Sequence, residues 1–355
     1  VHRSKLHPQI GASLEKNEQL KLGLRDRPMR ILAVDDDDIA LEILSNGLHG
    51  AGHSDFVTAQ SGAEALEIIA AAEKPFDIFL LDIQMPGIDG IELCAKVRRL
   101  PRYRTAPIIM ITAMAERKFI DAAFAAGAMD YVNKPFDPVE LGVRIGLAGR
   151  LVSQQKQFAA SQSEVDFLKM QSGISLTSSA SDALEIVDVP GFVSLTAMEN
   201  YLLRLGRGMA FQSTSVAFAI KGFDLLHSVA SPVEIYDILA DTGEAIAAGL
   251  KRFEHLITYC GNGEFVAVCQ KTSDSLDQDL LANIQNTLDA FEPSFADGRP
   301  CDVALVQSSS YSPSLWAAGD SLCLLVKPLE SLSQQTRAST KRSKPKLFRP
   351  LANIM

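Results

Sequence analysis

Asp82 closes the apolar run Phe79-Leu80-Leu81 and opens the segment Asp82-Ile83-Gln84-Met85-Pro86-Gly87-Ile88-Asp89-Gly90. Three other apolar runs end in polar groups in the same way. Ile31-Leu32-Ala33-Val34 ends in Asp35-Asp36, Ile108-Ile109-Met110-Ile111 ends in Thr112, and Tyr131-Val132-Asn133 ends in Lys134-Pro135-Phe136. Three carboxylates are the ligand type that magnesium prefers, and a backbone carbonyl just after Asp82 can add a fourth oxygen. A carboxylate attacks a phosphate poorly because both are anions, and a divalent cation removes much of that repulsion. An amine at Lys134 can pair with a phosphoryl oxygen as a point charge, and the Thr112 hydroxyl can donate to the same group. The chemistry this set could do is to carry a phosphoryl group on Asp82 and to sense its charge.

Each residue also has an ordinary reading. Asp35 to Asp38 make an acidic turn with an N-cap for the next helix. Lys134-Pro135 starts a loop. The ordinary readings lose only if all these residues meet, and the elements around them predict that they do. Residues 29–137 alternate short apolar runs with helical patterns, the βαβ rhythm of a parallel sheet. Strands are expected near 30–35, 55–59, 76–82, 107–112 and 129–133, with helices between them and from 138 onward. In such a sheet the carboxyl ends of the strands share one edge, where ligands bind.

Residues 29–150 resemble the receiver domain of bacterial two-component response regulators. The resemblance places the family's acidic pair on Asp35 and Asp36, its phosphoacceptor on Asp82, its switch hydroxyl on Thr112, its switch aromatic on Tyr131 and its lysine on Lys134. It also implies that the backbone carbonyl of Gln84 completes a Mg2+ site. By the same resemblance the fold is a doubly wound, five-stranded, flavodoxin-like α/β domain. Asp82 would then take its phosphoryl group from a histidine kinase or a phosphotransfer protein.

Past the receiver, Leu147, Leu151, Gln154, Phe158, Ser161, Val165 and Leu168 alternate spacings of four and three. This is a modest coiled-coil seam that would support a homodimer, or else an amphipathic face lying on its own domain. Residues 151–189 are expected to be this helical extension and a serine-rich linker. Residues 1–28 read as a mobile N-terminal arm. Residues 329–355 read as a disordered basic tail, with Arg337, Lys341, Arg342, Lys344, Lys346 and Arg349 unrelieved by an acid.

Residues 190–328 read as a second, α+β domain. The expected elements are a strand at 216–220, a helix near 232–252, a hairpin of 256–260 with 265–269, a helix near 275–291, a strand at 302–307 and a helix near 314–325. The turn Gly261-Asn262-Gly263-Glu264-Phe265 resembles the signature of GGDEF domains, the diguanylate cyclase family. Lys221-Gly222-Phe223-Asp224, Arg252 and the segment from Asp320 to Lys327 fall in that family's order. The departures concern charge. Lys221 stands where the family has a metal-binding Asp, Gly263 where it has an acid, and His255 where it has the partner of the inhibitory-site arginine. The expectation is a catalytically inactive, degenerate GGDEF-like output acting by protein contact or dimer rearrangement. A residual cyclase and a nucleotide-binding sensor without turnover are the alternatives.

Composition narrows the classes. The chain has 355 residues, 47% hydrophobic and 22% charged, enough for two packed domains. A net charge of −9 argues against a general nucleic-acid binder, and there is no helix-turn-helix pattern after the linker, so DNA binding is not expected. The five cysteines are scattered and never spaced as a zinc or redox pair. No apolar run reaches membrane-spanning length and none follows Val1-His2-Arg3-Ser4-Lys5, which predicts a cytoplasmic protein without a membrane span.

Overall fold

The computed structural model describes residues 29–113, 116–172, 186, 189–271, 279–314 and 321–340. The expected arm over 1–28, most of the serine-rich linker, Asp320 and the basic residues from Lys341 onward lie outside the described residues. So do the side chains of Phe158, Ser161, Val165 and Leu168 in the expected seam.

Five strands form the first sheet: β1 (Ile31–Val34), β2 (Phe56–Ala59), β3 (Ile78–Asp82), β4 (Ile108–Thr112) and β5 (Asp130–Asn133). Their order is β2-β1-β3-β4-β5, and every pair is parallel. The runs ILAV, IFLLD and IIMIT are buried throughout, as strands covered on both faces must be. Alternate residues feed two cores. Leu32, Val34, Phe79 and Leu81 face one cluster, and Ile31, Ala33, Ile78 and Leu80 the other. The helices between strands are α1 (Asp38–Gly50), α2 (Gly62–Ala71), α3 (Gly90–Arg98) and α4 (Arg117–Ala125). Three start on side-chain caps: Asp37, Ser61 and Asp89 accept from backbone amides of α1, α2 and α3. Gly127 ends α4 at φ 101, and the Ala128 amide reaches back to the Ala123 carbonyl at 3.0 Å, the closure a left-handed residue allows. Helix α5 runs on from Pro138 to Ser172.

The second sheet is antiparallel. It comprises β6 (Ser213–Ile220), β7 (His255–Gly261), β8 (Glu264–Gln270) and β9 (Leu305–Gln307), ordered β7-β8-β6-β9. Short helices α6 (Leu195–Arg204) and α7 (Arg207–Phe211) precede it. Helices α8 (Phe223–Val229), α9 (Pro232–Leu250) and α10 (Leu280–Ala290) follow β6 and β8. One face of the sheet packs on α9 and α10 through Val216, Phe218, Ile238, Ile246 and Ile284. The other face, with Ala217, Val266 and Val268, joins a cluster that also holds Phe124 and Tyr131 of the first sheet's module and Tyr201 of α6. The two modules therefore share one continuous core on that side.

Two expectations need correction. The strand expected at 302–307 is confined to Leu305–Gln307. The closing helix, α11, spans Cys323–Thr340 instead of 314–325, so residues 329–340 are helical and not a disordered tail. The apolar spacing explains it. Leu325, Leu329 and Leu332 lie four and three residues apart, Leu332 is fully buried and Leu329 packs beside it. That packing outweighs the hydrogen bond lost at Pro328 inside the helix. No helix among the described residues is long and apolar enough to cross a membrane.

Candidate functional site

The acidic run after β1 is divided among tasks. Asp35 is fully buried at the strand end, and its Oδ1 accepts from the Asp37 amide at 3.1 Å. Asp37 turns to cap α1, accepting from the Ile39 amide at 2.9 Å. Asp36 stays exposed. Asp82, almost completely buried, ends β3 beside β1, and ligand oxygens of Asp35, Asp36 and Asp82 lie within 4.8 Å of one another. Lys134 reaches in from the end of β5. Its Nζ is 2.6 Å from Asp35 Oδ2 and 2.6 Å from Asp82 Oδ1.

The backbone holds these groups in place. Asp82 pairs in register with Ile111, and the Ile83 amide donates to the Ile111 carbonyl at 3.2 Å. The Lys134 amide donates to the Thr112 carbonyl at 2.7 Å, so the lysine and the buried Thr112 are tied through adjacent strands. The loop after β3 folds back tightly. The Gly90 amide donates to the Ile83 carbonyl at 3.0 Å, and a Cβ at position 90 would collide with the Asp82 carbonyl oxygen. Only glycine allows that approach. The Lys134–Pro135 peptide bond is cis.

Burial pushes the Asp82 carboxyl above the ordinary carboxylate value, and Asp35 pushes it the same way. The Lys134 ammonium and the Gln84 amide oppose them. Burial alone would pull Lys134 down, but its two carboxylate partners win and hold it above the ordinary lysine value. The ammonium thus neutralises part of a site with excess negative charge. The donor set, three carboxylates close together and no sulfur or imidazole, suits a hard divalent cation such as Mg2+.

Asp35, Asp36, Asp82 and Lys134 therefore come together, with Thr112 at the adjoining strand end. Tyr131 is apart from them, on the edge strand β5, 5% exposed, edge-on to Phe124 at 6.3 Å. Residues 261–265 belong to the second sheet, where they form the β7–β8 turn. Gly261, Asn262 and Gly263 all have positive φ, of 90°, 53° and 74°. A Cβ on Gly263 would stand 2.6 Å from the Phe223 ring. Glu264 is half-buried, which raises its carboxyl, and Phe265 is fully buried against Tyr259. Two contributors escaped the sequence reading. The steric role of Gly90 was signalled only by a glycine directly after the α3 cap. The guanidinium of Arg204, 5.2 Å over the Tyr131 ring, carries no local signal at all.

Residues 31–145 match the response regulator receiver domain family. The alkaline phosphatase synthesis transcriptional regulatory protein PhoP of Bacillus subtilis is 35% identical over 145 residues, 41% of this chain and 57% of that protein. A chemotaxis protein CheY homolog of Campylobacter jejuni is 36% identical over 110 residues, 31% of this chain and 84% of that protein. The structure of Vibrio cholerae chemotaxis protein CheY4 is 31% identical and covers 34% of this chain and 99% of that one, at a TM-score of 0.33. The first three curated relatives, all from Bacillus subtilis, are matched over 52% to 57% of their length, so the chain spans about half of each. Through residues 31–145, the chain belongs to the response regulator receiver family.

Proposed function

We propose that this chain is a response regulator of a bacterial two-component phosphorelay, accepting a phosphoryl group on Asp82 from a histidine kinase or phosphotransfer protein. The observation that carries this is Lys134 bridging Asp35 and Asp82 at 2.6 Å each inside a cluster of three carboxylates. Asp35, Asp36, Asp82 and the Gln84 carbonyl would hold Mg2+, which offsets the repulsion between carboxylate and phosphate. Asp82 supplies the attacking oxygen. Its bond to phosphorus forms as the bond from phosphorus to the donor nitrogen breaks, and the donor imidazole keeps the electron pair. Lys134 then exchanges a carboxylate oxygen for a phosphoryl oxygen, and the Thr112 hydroxyl donates to another. Both residues are fixed to one backbone hydrogen bond, so they move together.

The test is labelling with acetyl phosphate and magnesium, followed by mapping of the adduct. Labelling confined to Asp82 and abolished in Asp82→Asn is expected. Undiminished labelling of Asp82→Asn would sink the assignment.

The second module, in this reading, is a catalytically inactive GGDEF-like output that works by contact. The order β7-β8-β6-β9 with helices on both faces is compatible with that family. The inactivity is supported by the Phe223 ring, packed where a side chain at position 263 would have to stand, and by Lys221, exposed where a cation ligand belongs. Incubation with GTP and magnesium, with and without phosphodonor, separates the readings. Cyclic dinucleotide formation would promote the residual cyclase. Saturable nucleotide binding without turnover would promote the sensor.

A further inference from the structure

A cavity of about 480 Å³ lies between the two modules at the amino edge of the first sheet, the edge opposite Asp82. Its roof comes from residues 104–107 before β4 and 125–129 before β5, with Leu151 and Gln155 of α5 beside them. Its floor is the segment 189–197 that leads into α6. Both walls are tied down. Arg98 staples the roof: Nε and Nη2 donate to the Gly127 carbonyl at 3.0 and 2.7 Å, and Nη1 donates to the Tyr103 and Ala106 carbonyls at 2.9 and 2.6 Å. The floor is stitched to β7. There the Val193 amide donates to the Ile257 carbonyl and the Ile257 amide to the Gly191 carbonyl, each at 2.8 Å. A cavity whose walls stand without its contents is the usual form of a small-molecule site, and this volume falls in the ordinary range.

The lining specifies what fits. Pro107, Met129, Leu151, Val189 and Phe192 give it an apolar wall. Every charged residue that lines it, among the described residues, is an arginine: Arg98 and Arg104. Helix α6 adds positive character from the floor. Ser194 caps the Ala197 amide, and Leu195 and Thr196, in the same first turn, belong to the lining. Their amides sit at the positive end of the helix dipole. An apolar chamber with positive groups in both roof and floor selects an organic anion.

We propose that this cavity binds a small organic acid, an apolar chain or ring carrying one carboxylate, with the carboxylate held by Arg104 and the first amides of α6. The apolar part fills the space between Met129, Leu151 and Phe192. Charge-assisted hydrogen bonds offset the loss of water from the carboxylate. Inorganic phosphate lacks the apolar part and an alcohol lacks the charge, so neither satisfies the whole lining. The ligand touches both modules and stabilises the chain by mass action when it binds. Its site is at the strand ends remote from Asp82, which makes it a chemical input independent of the phosphoacceptor reading.

The test is calorimetric titration of the full chain with octanoate, 1-octanol and inorganic phosphate in parallel. Octanoate should bind saturably at a single site, and octanol and phosphate at least about tenfold more weakly. Hydrogen exchange should slow in 104–107, 125–129 and 189–197 when octanoate is added. Arg104→Ala, at an exposed position, should weaken octanoate about tenfold and leave octanol unchanged, because the charge goes and the apolar wall stays. Thr196→Trp puts a ring into the cavity and should abolish octanoate binding; if that variant does not fold, Arg104→Ala decides. Octanol binding as tightly as octanoate, or Arg104→Ala binding octanoate as wild type does, would overturn the anion assignment. Slowed exchange confined to other segments would overturn the location. Absence of saturable octanoate binding to wild type would overturn the proposal outright.

Discussion

Gly90 sits so close to Asp82 that its missing side chain is part of the site: a Cβ there would collide with the Asp82 carbonyl oxygen. The obstacle is backbone, which cannot swing aside as a flexible side chain can. Gly90→Ala must therefore push the loop between β3 and α3 outward. We expect a loss of about 1–3 kcal/mol in denaturant unfolding, typical of overpacking, together with slowed labelling of Asp82. A variant that labels at the wild-type rate would show that the loop geometry does not matter for the chemistry.

Asp82 gives a pH signature. Its folded-state carboxyl is raised, so the fold prefers it protonated. Stability from this group is fully present below the unfolded carboxylate value and is lost as pH rises through the folded value. At neutral pH the charge is a net burden. Asp82→Asn should therefore melt higher than wild type at pH 7, and the gap should close as pH falls into the acid range. A gap that widens on acidification would contradict the stated cause.

Lys134→Ala should separate two functions. The carboxylates that would hold magnesium remain, but two buried acids lose their shared cation. Removing one partner of a buried pair costs about 3–5 kcal/mol, and exposure of Lys134 on one side lowers that figure. Magnesium should then raise Tm more in the variant than in wild type, while the spectral change on phosphorylation is lost. Equal magnesium responses would mean that the lysine does not share the cation's role.

In the second module, Gly263→Asp should restore no chemistry. The new side chain would meet the Phe223 ring in a backbone conformation at φ 74 that favours glycine. We expect about 1–3 kcal/mol of destabilisation and no cyclic dinucleotide from GTP. Product formation would show that only the missing acid had silenced the turn.

The first sheet was legible because its signals are local. Runs such as Ile108–Ile111 can only be doubly covered strands, and the polar residue ending each run marks the shared edge. The convergence of Asp35, Asp82 and Lys134 followed from topology alone. The bounds of the last helix did not, because Pro328 reads as a stop unless the burial of Leu332 is known. Arg204 was illegible for a deeper reason. Its partners Asp130, Tyr131 and Glu140 are more than sixty residues away, and no spacing rule joins an α6 arginine to an edge strand of another sheet.

The continuous cluster that links Phe124 and Tyr131 to Tyr201, Val266 and Leu332 bears on how the chain comes apart. Apolar residues that share a core lose their burial together, so the two sheets should unfold as one cooperative unit with a single thermal transition. A defect far from Asp82, in β8 or α11, would then shorten the lifetime of the receiver as surely as one beside it.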